Sequence, residues 1–158
     1  RLNWDEIPLA GKMSTLKLKI KVEPLEEPTA VNIGNPHAVF FVSNLDNVSI
    51  EDCGRKIENH PLYPQRTNVE VVQVLSQNRI RVKVWERGVG ITKASGSGAS
   101  AALVAAHRRG FTERKAKVVL DGGTLAVEWK SNDHVVQTGP YAEVFSGDLC
   151  LNNLRRKK

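Results

Sequence analysis

Hydrophobic and polar positions alternate along much of this chain, and the alternation predicts strands. Residues 16–22 (Leu-Lys-Leu-Lys-Ile-Lys-Val) alternate strictly, the mark of a half-exposed strand. Pro24 and Pro28 then interrupt regular structure. Residues 38–42 are a short apolar run and read as a more buried strand. Residues 69–75 and 79–85 read as two strands of a hairpin, turning at Ser76-Gln77-Asn78. Residues 117–120 and 124–129 pair through Asp121-Gly122-Gly123, and 135–138 and 142–145 follow as two more strands.

Two segments depart from the period of two. Ser49-Ile50-Glu51-Asp52 opens a short helix with an acidic first turn, which has to stop before Pro61. Residues 98–108 are rich in Ala and Leu and predict a second helix. His107, Arg108 and Arg109 suit its negative end, and Gly110 stands where a C-terminal cap belongs. The apolar residues of this helix cover most of its surface instead of one stripe, so it belongs inside the sheet and not on it. The expected fold is α+β with an antiparallel sheet, about eight strands joined mostly as hairpins and the second helix buried inside the sheet. One lobe over residues 1–150 and a basic tail over 151–158 account for the chain, with no internal repeat.

Composition narrows the picture. A chain of 158 residues can bury a real core in one domain. No apolar run approaches the roughly 20 residues of a membrane span, and the polar, charged opening residues do not read as a signal peptide. A cytoplasmic protein without a membrane partner is expected. The net charge is +6. Four of those charges sit in Arg155-Arg156-Lys157-Lys158, which reads as a solvated terminus. No zinc spacing, interleaved aromatics or RNA-binding signature points to a nucleic-acid partner. Cys53 and Cys150 match no metal or redox spacing and read as free thiols, so no metal site is expected. The chain opens on Arg1 and its only methionine is Met13, so a piece of a longer protein is expected.

The chemistry concentrates in Trp85-Glu86-Arg87-Gly88-Val89-Gly90 and the following Ala94-Ser95-Gly96-Ser97-Gly98-Ala99. Glycines let a backbone approach a ligand closely. The first amides of the helix beyond them are unpaired and sit at the positive end of its dipole, which suits a carboxylate or phosphate. The segment lacks the Gly-Lys-Ser/Thr of a nucleotide loop and has only a partial dinucleotide pattern. A tight strand-to-helix turn explains it equally well. Glu86 and Arg87 could orient the amino and carboxylate groups of a zwitterion, or form a plain exposed ion pair. Gly34-Asn35-Pro36-His37 and Thr67-Asn68 each lead a strand, and turn chemistry alone accounts for them locally. Cys53, on a helix with no base nearby in sequence, reads as structural.

These pieces in this order resemble the C-terminal half of diaminopimelate epimerase. The resemblance rests on the opening Trp4-Asp5-Glu6-Ile7-Pro8-Leu9, Gly34-Asn35-Pro36-His37, Asn59-His60-Pro61-Leu62-Tyr63-Pro64, Thr67-Asn68-Val69-Glu70, the Trp85–Gly90 and Ala94–Ala99 motifs, Asp121-Gly122-Gly123, and Thr138-Gly139-Pro140, and it covers nearly the whole chain. It implies one of two pseudo-symmetric lobes, each an antiparallel sheet curled around a central helix, of a cofactor-independent isomerase of lysine biosynthesis, which uses no pyridoxal phosphate. That enzyme interconverts LL- and meso-diaminopimelate by removing and replacing an α-proton between two cysteines, one per lobe. Carried over, Asn35, Asn68, Glu86 and Arg87 would bind the substrate's polar groups. Gly96 and Ser97 would offer amides to the α-carboxylate. His37 would sit near the other lobe's cysteine, and Glu86 near position 95.

Two departures follow. The family's second cysteine falls at Ser95, and the lobe with the first is not in this sequence. A thiol has a pKa near 8.5 that is readily lowered, whereas a serine hydroxyl is far less acidic. The chain alone is therefore expected to be inactive: an excised lobe, a thiol-removed variant or a degenerate relative. Its partners would be the substrate, the N-terminal lobe and a second copy in a homodimer. The competing expectations are a related isomerase of the same fold, of the proline racemase or phenazine-pathway type, and a non-catalytic relic that binds a ligand or a partner protein.

Overall fold

The computed structural model describes residues 1–148; Cys150 and the basic tail 151–158 lie outside the described residues. The elements are β1 (Lys21–Val22), β2 (Leu25–Glu26), β3 (Thr29–Asn32), β4 (Pro36–Val42), α1 (Ile50–Glu58), β5 (Asn68–Ser76), β6 (Arg79–Glu86), β7 (Gly90–Thr92), α2 (Gly96–Arg108), β8 (Lys115–Leu120), β9 (Gly123–Trp129) and β10 (Val135–Thr138). β1 and β2 form a small hairpin. The other eight strands make one sheet in the order β10-β9-β8-β6-β5-β4-β3, with β7 added against β6.

The period of two sorts side chains onto the two faces of this sheet. Val39, Val72, Ile80, Val82 and Val84 pack with Leu103 and the alanines of α2. Ala38, Phe40, Val69 and Val71 point the other way, toward Ile50, Cys53 and Ile57 of α1 and the N-terminal Ile7, Leu18 and Ile20. α2 touches every strand on the path from β3 to β10, so the sheet does curl around it. Its residues from Gly98 to Ala106 are all buried, as its all-round apolar surface requires. α1 instead buries one face and leaves Glu51, Asp52, Arg55 and Lys56 outward. Gly54 meets the indole of Trp85 so closely that a Cβ there would stand 2.6 Å from the ring.

The structure amends the expected elements in four places. Most ladders are antiparallel, but β4–β5 and β6–β8 are parallel, because α1 and α2 serve as the crossovers between them. Residues 16–22 are not one strand. Their inward and outward alternation survives, with Leu18 and Ile20 buried, but only Lys21–Val22 is strand. Leu18 N–H donates to the Pro28 carbonyl, and proline has no N–H to return the bond, so no ladder grows there. Residues 142–145 are not a strand either: Val144 and Phe145 are exposed, and no strand among the described residues pairs with them. Alternation tells which way side chains point, not whether a partner edge exists. Finally, β2, β3 and β7 lack a long enough pattern to be foreseen. Ser49 holds the N-cap position of α1 without a side-chain cap bond, and its carbonyl accepts from the Cys53 thiol at 3.2 Å. Cys53 is buried, which pushes its thiol pKa up and supports its structural reading.

Candidate active site

Parallel and antiparallel pairings bring one end of every central element to the same edge of the sheet. β4 and β5 begin there, β6, β8 and β10 end there, and α2 begins there. The residues singled out by sequence, Asn35, His37, Asn68, Glu86, Arg87, Ser95, Gly96 and Ser97, therefore all fall at this end. A shallow cleft of about 260 Å³ opens beside Ser95, between Gly96, Leu120, Gly122 and Pro140. Larger hollows lie elsewhere and hold none of these groups, such as the 400 Å³ one between Arg1, Val31, Trp129 and Val135.

Ser95 is the N-cap of α2: its Oγ accepts from the Gly98 N–H at 3.2 Å, and its carbonyl accepts from Ala99. The amides of Gly96 and Ser97 have no acceptor among the described residues. They form the open, positive end of the helix. Gly96 is held from outside by Gln137 of β10, whose amide donates to the Gly96 carbonyl and to Ser100 Oγ at 2.6 Å. A Cβ on Gly96 would stand 3.0 Å from Gln137 Oε1, so a larger residue there would push the Gln137 amide outward.

Glu86 and Arg87 do not pair with each other among the described residues. Glu86 Oε1 accepts from Thr92 Oγ1 across the β6–β7 ladder, and β7 runs on into Ser95. The Arg87 guanidinium donates to the Gln65 carbonyl at 2.9 Å, while its backbone N–H donates to Asn68 Oδ1 at 2.8 Å. The exposed-ion-pair reading of Glu86 and Arg87 therefore gives way. Asn68 is buried and its amide also donates to the Pro36 carbonyl at 3.0 Å. It ties the Asn-Pro-His segment to the Glu-Arg-Gly turn. No hydrogen bond joins Glu86 to Ser95 among the described residues.

His37 is wholly buried. Its Nε2 lies 2.8 Å from Asn35 Oδ1 and its Nδ1 lies 2.7 Å from Glu70 Oε1. Burial pushes the Glu70 carboxyl upward from its ordinary value, the His37 contact pulls it down, and the charge of Glu86 adds to the rise. Glu70 had no role in the sequence reading. The signal was a carboxylate inside the apolar run Val69-Glu70-Val71-Val72, where alternation demands an inward residue. Glu58 was missed too. Its carboxylate accepts from Trp85 Nε1 (2.8 Å), Gly88 N–H (2.9 Å) and Arg66 Nη1 (3.1 Å), and so holds the turn that carries Arg87. No local pattern marks it, because all three donors come from other elements.

Comparison with known proteins identifies the family of the chain. The family model for diaminopimelate epimerase matches residues 29–144. The diaminopimelate epimerase of Rhodospirillum centenum is 51% identical over 94% of this chain and 51% of its own length. That of Erythrobacter litoralis is 50% identical over 93% of this chain and 55% of its own. The chain thus spans about half the length of the curated relatives it matches. Among solved structures, a phenazine biosynthesis protein of the PhzF family from Bacillus anthracis superposes on 69% of this chain and 34% of its own, with a TM-score of 0.47 and 20% identity. No helix among the described residues is long and apolar enough to cross a membrane. With a match that runs from β3 past β10 and takes in every motif gathered at this end of the sheet, the chain belongs to the diaminopimelate epimerase family.

Proposed function

We propose that this chain is the C-terminal, substrate-orienting lobe of a cofactor-independent diaminopimelate epimerase, and that with Ser95 in place it binds diaminopimelate without exchanging its α-proton. The observation that carries the reading is the α2 N-terminus. The Gly96 and Ser97 amides are open to a carboxylate, while the Ser95 hydroxyl oxygen is occupied as the helix cap.

In the two-lobe enzyme a thiolate of the other lobe takes the α-proton from one face. The electron pair left on the α-carbon spreads into the α-carboxylate, where the Gly96 and Ser97 amides stabilise the developing charge. A thiol at position 95 then delivers a proton to the opposite face. Arg87 and Asn35 hold polar groups of the substrate, and Asn68 keeps their two segments in register. A hydroxyl at position 95 has too high a pKa to give or take that proton near neutrality. The loss exceeds the roughly 10²–10⁴-fold credited to one acid/base group. The same reading makes the protein a cytoplasmic isomerase of lysine biosynthesis that works with an N-terminal lobe and, in a homodimer, with a second copy.

Titration calorimetry with LL- and meso-diaminopimelate, and loss of the α-proton signal in D2O, test this directly. Binding without exchange is expected, and Arg87→Ala should weaken binding roughly tenfold or more by removing a charge-assisted carboxylate contact. Ser95→Cys alone should remain silent in the exchange assay, since one thiol supplies one of two proton partners. An absence of binding would sink the substrate assignment; exchange by the unaltered chain would sink the inactive half of the reading.

A further inference from the structure

A carboxylate placed inward on a central strand is costly unless donors meet it. Glu70 is fully buried, yet among the described residues His37 Nδ1 is its one hydrogen-bond partner, and Oε2 has none. The start of α2 is shaped around it. A Cβ at Gly98 would stand 3.1 Å from Glu70 Oε1 and 3.2 Å from Ser95 Oγ, so any larger residue would crowd the carboxylate beneath the helix. Glu86 is the other charged group that acts on it, and Glu70 in turn helps burial to raise the Tyr63 hydroxyl.

The far side of the imidazole faces Asn35 Oδ1. With the Asn35 amide in this orientation its oxygen can only accept, which assigns the proton of that bond to His37 Nε2. The Asn35 NH2 is then turned away from His37 and has no partner among the described residues, at a half-exposed position on the rim of the site. An asparagine amide can flip at little cost unless a neighbour decides its orientation.

We propose that Glu70 is a positioning residue: by taking the Nδ1 edge of His37 it commits the Nε2 proton to Asn35, and so turns the Asn35 amide outward as a donor to the substrate's carboxylate. The proposal rests on the reading of Asn35 as a substrate ligand. An acid suits the task because a fully buried pair costs least when it is neutral overall, which places two protons on it: one within the Nδ1···Oε1 contact and one on Nε2. Whether the first rides on nitrogen or oxygen, Nε2 keeps its own. An apolar residue at position 70 frees Nδ1 to take the proton. Nε2 then becomes an acceptor, and the Asn35 amide turns its NH2 inward.

The test is long-range ¹H–¹⁵N correlation of His37 in the full 158-residue chain at pH 7, with diaminopimelate affinity measured beside it. In the unaltered chain Nε2 should carry a proton. In Glu70→Met, of similar size, the proton should move to Nδ1 and the affinity for diaminopimelate should fall roughly tenfold, the loss of about one hydrogen bond to a charged group. A His37 protonated only at Nδ1 in the unaltered chain overturns the proposal, and this arm stands even if the methionine variant does not fold. So does a folded Glu70→Met chain that keeps its Nε2 proton and its affinity. Should the unaltered chain bind no diaminopimelate, the functional reading fails while the tautomer still decides whether Glu70 directs His37.

Discussion

Glu58 and Glu70 are both buried carboxylates, on opposite faces of the same sheet, and they are held in opposite ways. Glu58 ends α1 and meets three donors, from Trp85, Gly88 and Arg66. Glu70 lies on the α2 face with His37 as its partner and, among the described residues, an oxygen left over. A carboxylate ringed by donors is a clamp, here on the turn that presents Arg87. One with fewer donors than oxygens, touching a histidine beside the open end of a helix, is under-satisfied in the way functional sites often are. Burial alone does not separate the two roles; the donor count does.

The largest expected effect probes the clamp. Glu58→Ala leaves the indole and Gly88 N–H groups without their acceptor and should cost about 3 kcal/mol, from hydrogen bonds to a charged group worth about 1.5–3 kcal/mol each and partly recovered by water. Urea unfolding monitored by tryptophan fluorescence measures it. A loss below about 1 kcal/mol would make Glu58 an ordinary surface acid and dissolve the contrast.

A smaller effect sharpens the other side. Ser95→Ala removes the cap from α2 and should destabilise by about 1 kcal/mol. An unchanged urea midpoint would mean that the Ser95 hydroxyl is free for other work.

The smallest effect is a pH trend. Burial raises the Glu70 carboxyl above its ordinary 4.5, so the folded chain holds a proton where the unfolded chain has lost it. Its favourable contribution is complete below the unfolded value and is lost as pH rises through the folded one. The stability of the unaltered chain relative to Glu70→Gln should therefore decline from pH 4 toward neutrality. A difference that stays level or grows over that range would mean that Glu70 is stabilised in its charged form, and would overturn the contrast in donors drawn here.

Much of the fold was legible along the chain, and for a local reason. Alternation at 69–75 and 79–85 records which side chains face inward, and the all-round apolar surface of 98–108 records enclosure; both are properties of neighbours in sequence. The order of the motifs carried the family. What alternation could not report is pairing, and residues 16–22 and 142–145 show it: the right pattern, with no complete partner edge.

Tertiary structure alone decided the partnerships at the site. His37 and Glu70 are 33 residues apart, and the parallel register of β4 and β5, with His37 beside Asn68 and Val39 beside Glu70, brings them together. Glu58 reaches Trp85 and Gly88 across 27 and 30 residues, through the packing of α1 on the sheet. Such contacts depend on strand register and on how helices lie across the sheet, both set by the whole core at once. The sequence by itself determined which positions face inward and which motifs belong together; the fold decided that a carboxylate on one face clamps a turn and its counterpart on the other takes hold of a histidine.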